Sequence, residues 1–434
     1  MVFLPKVWPV LWRLAILVLP WQTRWFWEGP MVGGFPWEQG RVSVYASWLL
    51  LFLAMTCAWA MPRPLSSVDT PAKKYPRLPF IFLILFTLLP SVLFSLSIRA
   101  TAQWLFQVTL LGAFFVSLSR QRIPSSSIIR WMILAMVPHI ILAFFQIGFQ
   151  MVWGHPWLGM AMQDPAVLGV SVIDIAGHRM LRAYGGFPHP NILAGWLAFL
   201  LPWCWLLALR ASTRRAFVGW MGIQIAFIFA LIFTFSRAGW LAALLALTMS
   251  MVVWFVRTHA HGRRILCLVV SALLCLVVAH MGMRQVFMER VQVTSRLEQR
   301  SLQERVVALK QGWELFKRHP SFGVGPGATI YALEHDHVWQ PSSSLRGPPA
   351  PPHLVPLLVL DEIGVLGMMG LLFIMGLSLR RVNISVPVTI SISTFIFLGA
   401  FDHYLWSLWS GQTLAIYMGY ALFSSDIDVL VKSV

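Results

Sequence analysis

The stretch from Asn191 to Leu209, NILAGWLAFLLPWCWLLAL, decides the fold class of this 434-residue chain. It contains no charged residue, and its length matches the about 20 residues that a helix needs to cross the hydrocarbon core of a bilayer. Lipid offers no partner to backbone N–H and C=O groups, and a helix satisfies them within itself. The stretch therefore predicts a membrane-spanning helix.

The rest of the chain repeats this apolar pattern. With 58% hydrophobic and 11% charged residues and a mean hydropathy of +0.72, the composition excludes ordinary soluble classes. We predict an all-α polytopic membrane protein of about 12 transmembrane helices, with a long, partly helical external loop. The predicted spans are residues 3–20, 42–61, 79–98, 102–119, 128–152, 191–209, 216–235, 238–256, 265–283, 354–378, 384–401 and 404–423.

The first of these segments has two interpretations, because it is short and carries Pro9 and Arg13. It either spans the membrane or lies in the interface, and in both cases Arg13 can reach a headgroup. A cleaved signal peptide is disfavoured, since Trp8, Trp12 and Pro20 stand where an uninterrupted apolar core and a small-residue cleavage site belong.

Basic residues orient the chain. Alternate short loops form two sets, with fifteen Lys or Arg residues in one and six in the other. Cytoplasmic loops carry the excess of Lys and Arg, so the larger set faces the cytoplasm and both termini lie inside. The six outward arginines are Arg24, Arg41, Arg99, Arg179, Arg182 and Arg237.

This orientation divides the chain into five parts. N-terminal transmembrane helices (1–152) precede an external loop (153–190), and further transmembrane helices (191–283) precede a long external, periplasmic loop (284–353). C-terminal transmembrane helices (354–434) follow. Two proline-rich stretches, residues 62–79 and 341–352, are typical of a linker and of irregular structure.

Charge and cysteine usage exclude other partners. The net charge of +17 reflects topology and attraction to the membrane surface, because the basic stretches lack the clustering of a nucleic-acid binder. Nucleic acid is therefore rejected as a partner. The four cysteines fall inside apolar segments, which predicts neither a disulfide framework nor a thiolate zinc site.

The long external segment contains an amphipathic helix. Apolar residues recur along it at spacings of four, three, four and three, at Leu302, Val306, Leu309, Trp313 and Phe316. We expect this helix to lie on the bundle or on the membrane surface. It is followed by the turn-rich run 323–327, GVGPG, whose glycines let the backbone approach other groups closely.

Three polar residues are candidates for catalysis. Arg237 lies in the tight turn 234–240, where its planar, always-charged guanidinium suits phosphate; an anchor at the headgroups is the alternative. Arg305 lies at the edge of the apolar face of the amphipathic helix. It either belongs to a functional site or forms an ion pair with a glutamate in solvent. His353 closes the long loop, where an imidazole takes a proton from a hydroxyl or simply lies at the interface.

A second candidate group precedes the sixth span. Basic side chains, two glycines and a polar helix start coincide there, and a helix N-terminus at Asn191 favours an anion. An ordinary helix cap with flanking basic residues is the alternative. The predicted substrate-binding residues are Arg179, Arg182, His189 and Asn191.

Residues 334–337, Glu-His-Asp-His, carry the donor types of a divalent metal site. Four adjacent side chains seldom converge on one centre. We therefore interpret this run as a polar loop, and the sequence predicts neither a metal site nor a cofactor.

These fragments together resemble the O-antigen ligase and O-antigen polymerase superfamily of integral membrane glycosyltransferases, by order and spacing rather than by one motif. RAYGGFPHPN at residues 182–191 resembles the family's Gly-Phe-x-x-Pro-Asn start of a span. The turn 234–240, TFSRAGW, resembles its Ser-Arg-Gly-Ala-Trp turn.

Two further segments complete the resemblance, which runs from about residue 180 to 370. Arg305, followed by HPSFGVGPG at residues 319–327, is similar to the family's arginine helix ending in His-Pro-x-x-Gly-x-Gly-x-Gly. His353 ahead of Glu362 is similar to its His-Asn followed by Glu-Leu-Gly-x-x-Gly. Leu354 and Leu309 depart from the pattern, since the family often has Asn and Trp there.

The resemblance implies a metal-independent transferase in the cytoplasmic (inner) membrane. It would move a glycan from an undecaprenyl-diphosphate carrier to an acceptor hydroxyl on the external, periplasmic face. Arg237 and Arg305 would bind and neutralise the diphosphate, and His353 would orient or deprotonate the acceptor. The acceptor stays open among lipopolysaccharide core, growing polysaccharide, protein hydroxyl and cell-wall polymer. Polymerase and protein O-oligosaccharyltransferase are therefore alternatives to ligase.

Three other classes of membrane protein fit the sequence less well. A metal-dependent polyprenyl-phosphate glycosyltransferase needs paired carboxylates in the first outer loop, where Glu28 and Glu38 are separated by a Gly-rich stretch. A polysaccharide or lipid transporter needs polar residues near the middle of its spans, and His139, Gln146 and Gln224 are the few candidates. A noncatalytic scaffold would not depend on any particular loop arginine.

Overall fold

The computed structural model of the protein describes residues 4–64, 88–175, 177–257, 262–292, 296–339, 349–379 and 386–423. Most of the predicted linker 62–79, about half of the predicted span 79–98 and most of the stretch 341–352 lie outside these residues. The main helices are α1 (Leu4–Val18), α2 (Ala46–Ala60), α3 (Ile98–Arg120), α4 (Ser125–Phe149), α5 (Pro190–Leu209), α6 (Arg214–Phe233), α7 (Arg237–Arg257), α8 (Gly262–Gly282), α9 (Arg284–Gln292), α10 (Arg296–Arg318), α11 (Thr329–His335), α12 (Val355–Leu379), α13 (Val386–Gly399), α14 (Tyr404–Ser407) and α15 (Trp409–Phe423). Short antiparallel hairpins join β1 (Arg24–Phe26) to β4 (Ser43–Tyr45), β2 (Met31–Val32) to β3 (Phe35–Pro36), and β5 (Val172–Ile175) to β6 (His178–Leu181).

The stretch that decides the fold class forms the centre of the bundle. Every residue of α5 except Asn191 is buried, and α6, α7 and α13 pack around it. Trp203 donates from its indole nitrogen to Ser391 Oγ at 2.9 Å, so a polar atom inside the bundle keeps a hydrogen bond. A helix that is apolar on all sides is buried on all sides, as its composition requires.

Six helices in the described part of the chain are long and apolar enough to cross a membrane. They are α3, α4, α5, α6, α8 and the part of α12 from Val355 to Leu377. Shorter apolar stretches occur at Ala46–Ala60, Arg237–Val253 and Pro387–Gly399. The prediction of a helical membrane protein is confirmed, whereas the count of about twelve spans stays a prediction.

Two of the predicted spans are interrupted. The span predicted at 404–423 is not one helix, because Leu408 has an extended backbone (φ −120°, ψ 144°) between α14 and α15. Helix α12 is broken at Gly364, whose φ of 67° and ψ of −176° are not helical. Hydropathy does not show either break, since both occur inside apolar sequence.

The turn-rich run Gly323–Gly327 packs into the break of α12. The backbone N–H of Val324 donates to the carbonyl of Asp361 at 2.8 Å. Gly323 has a φ of 69°, and a Cβ atom there would lie 2.4 Å from the carbonyl carbon of Glu362. The close backbone approach predicted for this run is therefore confirmed.

Helix α10 lies against α12 through a face next to the predicted apolar one. Ala308, Gly312 and Leu315 are buried, whereas Trp313 on the predicted apolar face is 53% exposed. Small side chains let the two helix backbones approach, which the larger apolar residues would prevent. The helix contacts the bundle, but the predicted apolar face is not the one that packs, because Leu302, Val306 and Trp313 are exposed.

The loops that the charge pattern assigns to one side meet at one end of the bundle. Thr23 in the first loop donates from Oγ1 to the carbonyl of Trp157 in the second at 2.8 Å. The backbone N–H of Gly33 donates to Glu334 Oε1 in the long loop at 2.6 Å. The candidate residues of these loops therefore share one surface, and the side of the membrane that it faces stays a prediction.

Candidate functional site

The segment 182–189 is held in place by polar side chains of α4. Gln146 Oε1 accepts the backbone N–H of Gly185 at 2.9 Å, and its Nε2 donates to the carbonyl of the same residue at 2.7 Å. His139 Nδ1 accepts the N–H of Gly186 at 3.0 Å. These bonds satisfy buried backbone groups and fix the backbone from which the side chains of the segment project.

Arg182 is buried and uses all three guanidinium nitrogens. Nε donates to the carbonyl of Thr234 at 2.8 Å, Nη1 to Ser171 Oγ at 3.1 Å and Nη2 to Asn191 Oδ1 at 2.7 Å. Burial and the charge of Arg290 lower the pKa of Arg182 to about 9. Its partners are all neutral, so a bound anion would stabilise its charged form.

His189 caps α5. Its Nδ1 accepts the backbone N–H of Asn191 at 3.1 Å, and its Nε2 lies 3.2 Å from Ser171 Oγ. Burial and the charge of Arg182 lower the pKa of His189 to about 3, so the ring is neutral near pH 7. The predicted helix start at Asn191 is corrected by one residue, because Pro190 opens the helix and His189 is its cap.

Asn191 connects Arg182 to an acid that is distant in sequence. Its Oδ1 accepts from Arg182, and its Nδ2 donates to Asp402 Oδ2 at 2.8 Å. The side-chain amide is both donor and acceptor, which suits a position between a cation and a carboxylate. Asn191 therefore fixes the spacing between these two groups.

Asp402 lies between two imidazoles. His353, just before α12, has its Nδ1 3.6 Å from Asp402 Oδ1, which is an ion-pair distance. The backbone N–H of His403 donates to Asp402 Oδ1 at 2.8 Å, and the rings of His353 and His403 are 5.2 Å apart. We call His353, Asp402 and His403 the histidine–aspartate cluster.

The protonation states of this cluster suit a base. Burial alone would raise the pKa of Asp402, but His353 and His403 hold it well below its ordinary value. Burial lowers the pKa of His403 to about 4, so this ring is neutral near pH 7. His353 Nδ1 lies within ion-pair distance of this carboxylate without a hydrogen bond to it, so the carboxylate can support a positive charge on the ring.

The histidine–aspartate cluster also has the donor types of a metal site. One potential ligand atom from each residue lies within 4.8 Å of the others. Two imidazoles and a carboxylate suit Zn²⁺. An ion bound there would occupy His353 and remove it as a base.

The Glu-His-Asp-His run at residues 334–337 does not converge on one centre. Glu334 accepts from the first loop, as described above, whereas Asp336 lies 2.6 Å from His319 Nε2 and 2.8 Å from His335 Nδ1. The carboxylates thus have different partners. The interpretation of the run as a polar loop is corrected, because Glu334 and His335 lie in the last turn of α11 and Asp336 caps it.

Arg237 lies at the start of α7 and shares a carboxylate with a second arginine. Its Nη2 lies 3.1 Å from Glu298 Oε2, and its Nη1 donates to the carbonyl of Arg290 at 3.3 Å. Arg290 also pairs with Glu298 and donates to the carbonyl of Phe235. The tight turn and the long loop are therefore joined by one buried carboxylate between two guanidinium groups.

Arg305 is partly exposed on α10 and has no ion pair or hydrogen bond to any residue that the structure describes. Its positive charge is one cause of the lowered pKa values of Arg182, His189 and Arg290, which places it near them. We call Arg182, Arg237, Arg290 and Arg305 the arginine cluster. Arg305 is its unpaired member.

Arg179 does not join the arginine cluster. Its Nε donates to the carbonyl of Pro165 at 2.5 Å and its Nη2 to that of Val167 at 2.9 Å. These bonds hold the preceding turn against β6. The predicted substrate-binding residues Arg182, His189 and Asn191 are brought together, and Arg179 is not.

Sequence reasoning missed Asp402, His403, Arg290 and Glu298. An Asp-His pair between the last two predicted spans is the signal that could have found the first two, because charged residues beside membrane spans are functional candidates. Arg290 and Glu298 carry no such signal. They are two of many charged residues in a basic segment.

The arrangement places a concentrated positive charge beside a base. Among the described residues, Glu298 is the carboxylate in direct contact with the arginine cluster, so the region carries excess positive charge in partly buried surroundings. Such a region stabilises an anion more than the same groups would in water. A group whose bond to a phosphate breaks, with the electron pair staying on the phosphate, could react between the two clusters with a hydroxyl that loses its proton.

Comparison with known families finds one match. Residues 222–372 match the family model described as O-antigen ligase. The match includes Arg237, Arg290, Arg305 and His353, and it confirms the resemblance found in the sequence. Asn191 and Asp402 lie outside the matched residues. No curated protein matches the chain.

Proposed function

We propose that this O-antigen ligase-like chain transfers a glycan from an undecaprenyl-diphosphate carrier to an acceptor hydroxyl, on the external face of the cytoplasmic membrane and without a metal ion. The family match supports a glycosyltransferase of the ligase type. The carrier, the external face and the independence from metal are the finer parts of the proposal.

One observation carries the proposal, namely the bridge through Asn191. This side chain accepts from Arg182 at 2.7 Å and donates to Asp402 at 2.8 Å. A site for a diphosphate and a site for a base are thereby fixed side by side. Glycosyl transfer from a lipid diphosphate uses both groups. The base acts on the acceptor hydroxyl, and the positive charge acts on the leaving diphosphate.

The reaction follows from this placement. The acceptor hydroxyl gives its proton to Nε2 of His353 as its oxygen forms a bond to the anomeric carbon of the donor glycan. The bond from that carbon to the diphosphate oxygen breaks, and its electron pair stays on the leaving diphosphate. Asp402 stabilises the imidazolium that forms on His353, because it remains a carboxylate.

The arginine cluster stabilises the leaving group. Negative charge on the diphosphate grows as the bond breaks, and planar guanidinium groups match phosphate oxygens in pairs. Arg305 has no ion pair with any residue that the structure describes, whereas Arg237 pairs with Glu298. Positive charge that is already in place costs no reorganisation during the reaction.

The transporter alternative has less support. His139 and Gln146 bind the backbone of the segment 182–189, and Gln224 donates to the carbonyl of Leu268 at 3.0 Å. The polar side chains inside these spans therefore have protein partners. Asp361 and Glu362 are buried in the first half of a described span, at the end that follows the long loop.

The test uses purified full-length protein in detergent, undecaprenyl-diphosphate-linked glycan, candidate acceptors and EDTA. Release of lipid diphosphate and formation of glycosylated acceptor are measured for the wild type and for Arg237→Ala, Arg305→Ala and His353→Ala. Arg300→Ala is the matched control, because Arg300 lies on the same helix as Arg305 and pairs with Glu304 in solvent.

We expect wild type and Arg300→Ala to turn over in EDTA, and each site variant to lose about 10²-fold or more in rate. Equal activity in all variants would contradict the site. Activity that needs an added metal ion would contradict the metal-independent mechanism. Thermal unfolding of each variant separates loss of function from loss of fold.

A further inference from the structure

One face of α10 is apolar and exposed. The helix packs on α12 through small buried side chains, whereas Leu302, Val306 and Trp313 on the next face are 42%, 50% and 53% exposed. Residues spaced by three, four and seven positions share one side of a helix, so these residues form one strip. The ring of Phe316 lies 5.4 Å from that of Trp313 and extends the strip by a turn. We call these four residues the apolar strip.

Helix α10 lies beside a span rather than beyond it. A Cβ atom on Gly312 would lie 3.0 Å from Oδ2 of Asp361 in α12. The carbonyl of Pro320, just after α10, accepts the backbone N–H of Val365 at 2.8 Å. Asp361 is about 9 Å along α12 from the start of Val355–Leu377, the part that is long and apolar enough to cross a membrane. The second half of α10 therefore runs alongside the first turns of this span.

Apolar surface continues at the C-terminal end of α10. Phe322 follows the helix, and its ring stacks on that of Phe94 with the centroids 5.0 Å apart. Phe94 and its neighbour Leu93 are exposed, and both belong to the apolar segment 79–98 that the sequence predicts to span the membrane. Lipid around this segment would therefore also reach the end of α10.

Long basic side chains border the apolar strip. Lys310 lies four residues after Val306, and Lys317 lies four residues after Trp313, so both flank the strip on the side away from the bundle. Both lysines are exposed. Lys317 pairs with Glu314, whereas Lys310 has no ion pair with any residue that the structure describes.

This combination of apolar and basic groups fits a bilayer surface. Lipid phosphates lie directly above the apolar layer, and a helix in that region has its apolar face in the layer and its lysines at the phosphates. A second copy of the chain seated on the same strip would bring like charges together, which is unfavourable. The charge pattern therefore favours lipid as the occupant.

We propose that the apolar strip lies in the headgroup region of the bilayer at this end of the bundle, with Lys310 and Lys317 at anionic lipid headgroups. Arg305, three residues before the buried Ala308, lies on the opposite border of the strip, where lipid, bundle and water meet. The lipid contact uses none of the catalytic roles proposed above and does not depend on glycan transfer.

The depth of a nitroxide spin label tests this contact. Full-length protein is reconstituted in vesicles of phosphatidylethanolamine and phosphatidylglycerol. Labels are attached through Val306→Cys or Trp313→Cys on the strip, and through Arg300→Cys as the matched control, because Arg300 is exposed on another face of the same helix. Cys267 is exposed and is replaced by Ser, whereas the other three cysteines are buried. Collisions of each label with oxygen, which concentrates in lipid, are compared with collisions with a water-soluble nickel complex.

We expect the ratio of oxygen to nickel collisions to be several-fold higher at both strip positions than at the control position. Equal ratios at all three positions would place the strip in water and overturn the proposal. Few collisions with either reagent at the strip would mean that protein covers it, which would overturn the proposal in favour of a second copy. Thermal unfolding shows that each labelled protein is folded, and the two strip positions test the contact independently.

Reversal of one bordering charge tests the anionic headgroups. Lys310→Glu, combined with the label at position 306, should lower the collision ratio several-fold in vesicles that contain phosphatidylglycerol and much less in vesicles of phosphatidylcholine alone. Lys310→Gln should have a smaller effect in the same direction. An equal effect in the two lipids, or none in either, would overturn the role of the bordering lysines.

Discussion

Replacement of Asp402 by Asn tests the link between the two clusters most directly. The variant keeps the size of the side chain and a carbonyl oxygen that can accept the backbone N–H of His403. In the wild type this N–H donates to Asp402 Oδ1 at 2.8 Å. It removes the negative charge that lies 3.6 Å from His353 Nδ1. The variant therefore loses the stabilisation of an imidazolium on His353, and it also loses the hydrogen bond from Asn191 Nδ2, which would face the new amide nitrogen.

The magnitude follows from Coulomb's law. Two unit charges at this separation interact by about 4–5 kcal/mol at an effective dielectric constant of about 20. The side chains of His353 and Asp402 are 27% and 11% exposed, and screening by solvent reduces this to roughly 2–3 kcal/mol. Since about 1.4 kcal/mol is a factor of ten in rate, kcat should fall about 10²-fold.

Single-turnover and steady-state transfer assays measure this loss, and neither KM should change much. Asp336→Asn is the control, because Asp336 also pairs with a histidine, His319, at the same end of the bundle but outside the site. Its activity should stay close to that of the wild type. A folded Asp402→Asn protein with kcat within about threefold of the wild type would refute the role of the carboxylate.

Four further outcomes are expected. Glu298→Gln leaves two guanidinium groups without a carboxylate and should cost about 3–5 kcal/mol of stability; an unchanged unfolding temperature would contradict the buried pairing. The pKa of His403 falls from 6.5 to about 4 on folding, so the contribution of His403 to stability should be constant above pH 6.5 and fall by about 3 kcal/mol towards pH 4, which the difference between the wild type and His403→Gln measures. Micromolar Zn²⁺ should inhibit transfer through the histidine–aspartate cluster and EDTA should reverse this, whereas equal inhibition of His403→Gln would rule that cluster out. Gly323→Ala forces a Cβ atom to 2.4 Å from the backbone of Glu362 at a positive φ, and thermal unfolding should report a loss of about 2 kcal/mol or more.

Part of the site could be predicted because its signals are local in sequence. Arg237 stands in a turn between apolar segments, and Arg182 and Asn191 precede a span. Each candidate therefore had to lie at a membrane boundary. The glycines at 323–327 likewise predict close backbone approach, because only glycine adopts those conformations without strain.

The partners of these residues could not be predicted. Glu298 joins Arg237 to Arg290, and Asp402 joins Asn191 to His353, across segments far apart in the chain. Their meeting depends on the rotation and tilt of the helices and on the breaks at Gly364 and Leu408. Hydropathy carries none of this information, since it averages over whole segments.

The sequence by itself determined that this chain is a helical membrane protein and which residues border its spans, because bilayer thickness and backbone hydrogen bonding leave few other solutions. Only the tertiary structure decided which face of α10 packs, which acid supports His353 and where α12 is broken. Those features arise from side-chain packing between helices, whose specificity lies in contacts over distances of a few ångströms rather than in the period of apolar residues.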